Sequence, residues 1–221
     1  VIGSSDPGVG ANRSERVLYA WPGVTHFVPE AADTLFATSD GDFTSDGILD
    51  DSLDFWVGSI LSNLAPERNP GQASQPIPTV MAPILGFQRG VSGLGLSEYT
   101  ALRRAGVMAL RLDRTVGPII QSGITTSLVS GEKNVARRRL ADYIEDSLAQ
   151  RLVQFSKELL TNQMKDAAVG EVVAFMEDLV SAGNPAAQRI DSFVVDDKSG
   201  NTKAREAAGI WAIIVRARTL A

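Results

Sequence analysis

The side chains with the most chemical potential in this sequence are acidic. Asp40, Asp42 and Asp46 sit in the run DGDFTSDG, and Asp50, Asp51 and Asp54 follow closely. Carboxylates crowded around glycine turns are what a hard cation such as calcium requires. Counted from Asp40, however, the EF-hand glycine and glutamate positions hold Ser45 and Asp51, so that ligand pattern fails. A solvated loop leading into an Asp-capped helix explains the acids equally well. Region 40–54 leaves one alternative reading open, a small α/β enzyme or metal-binding protein.

Other chemistries have less to stand on. The chain has no cysteine, which excludes disulfide scaffolds, thiolate metal sites and cysteine nucleophiles. Its one histidine, His26, lies in an apolar segment, and no G-x-S-x-G motif offers a serine nucleophile. Gly3, Gly8 and Gly10, like Gly90, Gly93 and Gly95, match neither a P-loop nor a dinucleotide fingerprint. No catalytic, cofactor-binding or metal residue is therefore assigned, and no cofactor is expected. Arg137, Arg138 and Arg139 form a basic triplet. It reads either as a surface for an acidic partner or as a solvated helical face with i,i+4 pairs such as Arg138–Asp142.

The elements that would position these residues follow from hydrophobic periodicity. At 221 residues with 44% hydrophobic and 21% charged side chains, the chain can bury a real core. Leu53, Trp56, Ile60 and Leu64 predict a helix from Ser52 to about Ala65, capped by Asp50 or Asp51. Ser97 is the expected cap of a second helix that Gly106 closes. Val107–Leu112 and Ile119–Thr125 read as strands. Leu140, Ile144, Leu148, Leu152 and Phe155 form one stripe of a long helix from Glu132 to about Leu160. Another helix is expected from about Asp166 to Ala182, stopped by Gly183 and Pro185. Ile190–Val195 and Ile210–Thr219 then read as a strand pair. Ile210–Val215 is apolar at every position, the pattern of a covered, central strand. The reading is an α/β (α+β) fold, a mixed sheet flanked by helices with a C-terminal β-hairpin. Its expected regions are 1–130 and 131–221.

Charge bounds the partners. The net charge of −5 argues against general nucleic-acid binding. No apolar run reaches the roughly 20 residues of a membrane span. No basic-then-apolar leader opens the sequence at Val1, so no signal peptide is expected. The charge is uneven. Residues 1–100 hold twelve acids against four bases (−8), and residues 101–221 hold fourteen against seventeen (+3). One half is thus suited to attract the other half of a neighbouring copy.

An ordered series of segments resembles the phage tail sheath family, the contractile sleeve of tails and injection systems. SEYTALRRAGVMALRL (97–112) is similar to that family's helix and following strand. GPIIQSGITT (117–126) is similar to a segment that in the family usually ends W-G-A-R-T. Here Gln121-Ser122-Gly123-Ile124-Thr125 lacks the Trp and the Arg. NVARRRLADYIEDSL (134–148) resembles the family's V-R-R-L helix, and AAVGEVVAFMEDLVSAG (167–183) the helix after it. The IDSFVV…GIWAIIVRA pair completes the order. Upstream, SERVLYAWPGV and GILDDSLDFWVGSILSNLAPERNPGQ fit the family's core. Family members are normally longer and begin with an arm that reaches a neighbour. This sequence reads as a core piece or a shortened relative.

The resemblance implies a structural, non-enzymatic subunit polymerised as stacked hexameric rings around an inner tube protein. Contraction of such a sheath drives the tube through a target envelope. Baseplate and tail terminator proteins are the implied further partners, with no nucleic acid and no membrane. The implied location is a virion assembled in a host cytoplasm, or a cytoplasmic injection system. Ile210, Trp211, Ile213, Val215, Arg216 and Arg218 become the expected subunit interface. Arg138, Asp142 and Glu145 become the expected tube- or neighbour-facing positions of the long helix.

Overall fold

The computed structural model describes residues 16, 18–21, 23–27, 36–37, 43–44, 48–51, 53–71, 84–87, 94–113, 115, 117–127, 129–181 and 188–220. The chain divides into two compact units, Val1–Leu140 and Ala141–Ala221. The first carries β1 (Ala20–Trp21), β2 (Val24–Phe27), β3 (Phe36–Ala37), β4 (Phe43–Thr44), β5 (Ile48–Asp51), α1 (Leu53–Asn63), β6 (Ile84–Phe87), α2 (Leu96–Ala105), β7 (Met108–Asp113) and β8 (Gly117–Ile120). The long helix α3 (Val135–Leu152) runs through the division. The second unit continues with α4 (Asn162–Val180), β9 (Ile190–Asp196), α5 (Lys203–Ala207) and β10 (Ile214–Thr219).

The class is α+β, with small sheets among helices. In the first unit β1 lies parallel to β7, and β7 antiparallel to β8, giving a mixed three-stranded sheet. A second sheet runs β5–β2–β6, all antiparallel, and β3 pairs with β4. The core joins one face of α1 to the first sheet. Leu53, Trp56, Val57, Ile60 and Leu64 pack with Met108, Leu110, Ile120, Ile124 and Val135. Steps of three and four residues along α1 place that apolar set on one stripe. Each such side chain, fully buried, contributes about 1.5–3 kcal/mol of hydrophobic stabilisation.

Several boundaries depart from the sequence pattern. Asp50 and Asp51 do not stand at the start of α1, which begins at Leu53. They belong to β5, opposite Thr25 and Val24 in the ladder. Ser97 does not cap α2, because it lies in the first turn. Gly95 is the cap residue, and its N–H donates to the Glu98 carboxylate at 2.6 Å. A glutamate at the third helical position reaching back in this way satisfies an N–H at the helix start, as in a capping box. Gly106 does close α2, at φ 82°, a left-handed conformation that favours glycine. The second strand of the β7–β8 hairpin is Gly117–Ile120 rather than 119–125, since Thr125 and its neighbours enter a different set of hydrogen bonds.

Helix α3 starts at Val135 and stops at Leu152, followed by one 3-10 turn, Val153–Phe155. The expected run to residue 160 is cut short where Ser156 bonds the Val153 carbonyl through both its N–H and its hydroxyl. Serine competing for backbone groups is a recognised interruption. Helix α4 begins earlier than expected because Thr161 caps it, its Oγ1 accepting from Met164 N–H at 3.2 Å. Met164, Ala168, Val172, Phe175, Met176 and Leu179 form its buried face, and it packs on β9.

The C-terminal strand is the largest correction. It begins at Ile214, not Ile210, and among the described residues it pairs only with β9. Among the described residues it is therefore an outer strand of a two-stranded sheet, not a covered central one. Asn201 explains the late start. Its Nδ2 donates to the carbonyls of Asp197 (2.8 Å) and Ala212 (2.6 Å), and its Oδ1 accepts from Ala212 N–H (2.9 Å). The backbone of residue 212 is thus held by a side chain instead of a strand partner. The short helix α5 was not expected. Its signals were Thr202, whose hydroxyl accepts from Arg205 N–H, and Gly209 at φ 75° just beyond its end.

Candidate assembly surfaces

The hairpin of β9 and β10 pairs Ile214 with Asp196 through Arg218 with Ser192, then shifts register at Thr219. Ile190 is fully buried, but Asp191, Ser192 and Val194 are exposed. On β10, Val215 is half-buried opposite Val195, while Arg216 and Arg218 are exposed. Arg218 Nε lies 3.5 Å from the Asp191 carboxylate, an exposed pair worth little in water. At the turn, Asp196 accepts from the N–H groups of Lys198 (3.0 Å) and Ser199 (2.8 Å). Hydrogen bonds from Ser199 first, then Lys198, lower the Asp196 carboxyl to a pKa of about 2.

The six expected interface residues separate. Val215, Arg216 and Arg218 share β10. Trp211 and Ile213 precede the strand and line a cavity of about 250 Å³ with Leu152, Phe155 and Met164. Ile210 is exposed, and its N–H closes α5 on the Arg205 carbonyl at 2.8 Å.

The arginine triplet also separates, as three consecutive helical positions must at 100° each. Arg139 turns onto the end of α1. Its Nη2 donates to the carbonyls of Leu61 (2.7 Å) and Leu64 (2.8 Å), and Nη1 approaches that of Ala65 (3.4 Å). These carbonyls lie at the end of α1, where the last turn lacks helical partners. A cation there also suits the helix dipole. Burial lowers the Arg139 guanidinium from its ordinary value, and the nearby Glu67 opposes that shift. Sequence reading missed this role, because nothing local to the triplet names a helix seventy residues away. Arg137 donates to the Gly131 carbonyl at 3.2 Å. Arg138 and Asp142 are half-buried, and Glu145 is exposed.

The segment that resembles the W-G-A-R-T stretch is held by a polar clasp. Asn69 Nδ2 donates to the Gly123 carbonyl at 3.0 Å and to Asn134 Oδ1 at 3.3 Å. Its Oδ1 accepts from the N–H groups of Gly71 (2.7 Å) and Gly123 (3.0 Å). Any Cβ at Gly123 would stand 2.2 Å from that oxygen and 2.6 Å from Pro70, so only glycine fits. Thr125, Thr126 and Ser127 are buried beside it. Thr125 donates to the Glu132 carbonyl (2.9 Å), and Ser127 to the Glu132 carboxylate (2.9 Å).

Asp40, Asp42 and Asp46 lie outside the described residues. His26 stands in β2. Among the described residues no group of three or more His, Cys, Asp or Glu side chains gathers as a metal cage, and no helix is long and apolar enough to cross a membrane.

No family model matches the sequence, and no curated protein matches it. Solved structures do match. The fold is that of contractile tail sheath proteins. The chain superposes on a chain of the anti-feeding prophage baseplate with a TM-score of 0.70 at 15% identity, covering 98% of this chain and 55% of the other. On the contracted helical sheath of the anti-feeding prophage the TM-score is 0.72 at 16% identity, covering 100% and 57%. A sheath tail protein from Desulfitobacterium hafniense gives 0.50 at 13% identity, covering 85% and 40%. The chain thus spans a little over half the length of the two anti-feeding prophage chains.

Proposed function

We propose that this chain is a structural subunit of a contractile tail sheath, not an enzyme. It polymerises with copies of itself around an inner tube and engages a baseplate at one end. The observation that carries the reading is the superposition of essentially the whole chain on a helical sheath chain and a baseplate chain. Stacked hexameric rings, contraction against a target envelope and a phage tail or injection-system setting belong to the same proposal.

Within it, the hairpin is the subunit interface. An outer strand presents unpaired backbone N–H and C=O groups, which a strand from a neighbour satisfies by sheet extension. Val215, Arg216 and Arg218 contribute from β10, and Ile210, Trp211 and Ile213 from the segment before it. Arg138, Asp142 and Glu145 form the tube- or neighbour-facing side of α3. Contacts to a tube must release when a sheath slides, and exposed charge pairs align partners while being individually weak.

The experiment is sedimentation and negative-stain microscopy of the purified chain, with and without tube protein. Tubes or stacked rings are the expected result. A species that remains monomeric or dimeric under all conditions, and gains thermal stability from a metal or small ligand, would replace this reading with the enzyme or metal-binding one. Reversing Arg138 and Glu145 tests the α3 assignment. Association at low salt falls if that face is a contact and is unchanged if it is only solvated.

A further inference from the structure

A second surface, sharing no residue with the hairpin or with Arg138, Asp142 and Glu145 of α3, is built for an acidic chain. Arg103 and Arg104 in the last turn of α2 and Lys133 before α3 converge on an open groove of about 620 Å³. Gln121, Ser122 and Gly123 also line it, and Asn69 holds the Gly123 backbone. No carboxylate among the described residues lines it, and the three cations have no ion-pair partner among those residues. The α2 dipole accounts for two arginines at that helix end. It does not account for Lys133, which comes from a different part of the chain to the same groove. Asn134 already caps the N–H of Ala136 at 2.9 Å, so the groove's attraction rests on side-chain charge.

We propose that this groove binds the acidic stretch of a second copy of the chain. Between Arg16 and Arg68 the sequence holds nine acids, Glu30 through Glu67, and no lysine or arginine. That is the complement of three cations in a groove where, among the described residues, no carboxylate lines the wall. In an open helical assembly each copy offers two different patches, one to the copy before and one to the copy after. The identity of the partner rests on the sheath reading, whereas the groove's preference for an acidic segment does not.

The test uses the full chain and a labelled peptide of residues 30–47, carrying Glu30, Asp33, Asp40, Asp42 and Asp46, followed by fluorescence anisotropy. The peptide is expected to bind at low salt and to dissociate as ionic strength rises past about 0.5 M. Arg103→Glu with Arg104→Glu weakens binding about tenfold or more. Arg151→Glu, on an exposed cation that is not among the groove's lining residues, leaves it unchanged. Should the double reversal unfold, Arg103→Gln with Arg104→Gln reads the same loss. Salt-insensitive binding, equal binding by the double variant, or equal binding of a peptide with all five acids amidated overturns the proposal. Displacement by equimolar inorganic phosphate also overturns it, because the groove would then be a simple anion site. Tube formation is measured separately. Peptide binding without tubes or rings leaves the groove standing and removes the sheath reading. Tubes that form without peptide binding do the reverse.

Discussion

The Asn69–Gly123 clasp and the C-terminal hairpin use hydrogen bonds in opposite ways. In the clasp one asparagine side chain makes four contacts, three to the backbone of Gly71 and Gly123 and one to the Asn134 side chain, around a glycine with no room for a Cβ. Buried Thr125 and Ser127 add further polar contacts, and their partners lie within the same unit. In the hairpin, among the described residues, the ladder is satisfied on one side of each strand only, and the faces are mostly half-buried or exposed. A closed network over-determines one conformation, since each unmade bond would leave a desolvated group. An open strand edge leaves its bonding to a neighbour. On the proposed sheath reading, the first region suits a subunit that must stay folded, and the second a contact made on assembly.

Four substitutions would break or sharpen that contrast. The largest effect is expected at Gly123. Gly123→Val drives a branched side chain into Asn69 and Pro70. It should cost about 4 kcal/mol or more, seen as a collapse of the urea midpoint or of soluble yield. A midpoint near that of the wild type would mean the clasp yields easily and is not the rigid element described. Next is Arg139→Met, which keeps the stem but strips the carbonyls of Leu61 and Leu64 of their donor. A loss of about 1–2 kcal/mol is expected, with Arg137→Met costing clearly less. Equal losses would show the triplet acting as one diffuse charge.

Val194→Asp sharpens the contrast from the other side. The residue is exposed on β9, so the unfolding midpoint should move by less than about 0.5 kcal/mol while polymerisation falls. A large stability loss with normal assembly would make the hairpin a folding element instead. The smallest effect is expected at Asp196. Its carboxyl titrates at about 2 in the folded chain, below the ordinary value near 4. A lowered carboxyl pKa adds stability above the unfolded value, and that stability is lost as pH falls through about 2. Asp196→Asn keeps an acceptor for the turn but cannot titrate. The difference in melting temperature between the two proteins should therefore shrink between pH 5 and 2. A constant difference would remove the linkage.

Much of the fold was legible because it rests on periodicity. The stripe of α1, the glycine stop of α2, the existence of α3 and α4, and a closing strand pair all follow from local spacing. The ordered series of segments also pointed to the sheath-like fold. Boundaries were less legible wherever a side chain bonds backbone. Glu98 moves a cap to Gly95, Thr161 starts α4 early, Ser156 ends the run of α3, and Asn201 delays β10. Each depends on side-chain hydrogen bonds that propensity alone does not weigh. The apolar run 210–215 misled for a related reason. Trp211 and Ile213 are half-buried against a cavity wall, not on two faces of a sheet.

By itself the sequence determined the α+β class, the helical stripes, the uneven charge and the absence of thiol chemistry. These are properties of composition and of neighbours within a few residues. Only the tertiary structure decided that Arg139 serves a helix end, that Asn69 reaches Gly123 across 54 positions, and that Arg103, Arg104 and Lys133 face one groove. Contacts between distant segments depend on how elements pack, and an outer strand or a cationic groove exists only once the chain has closed around its core.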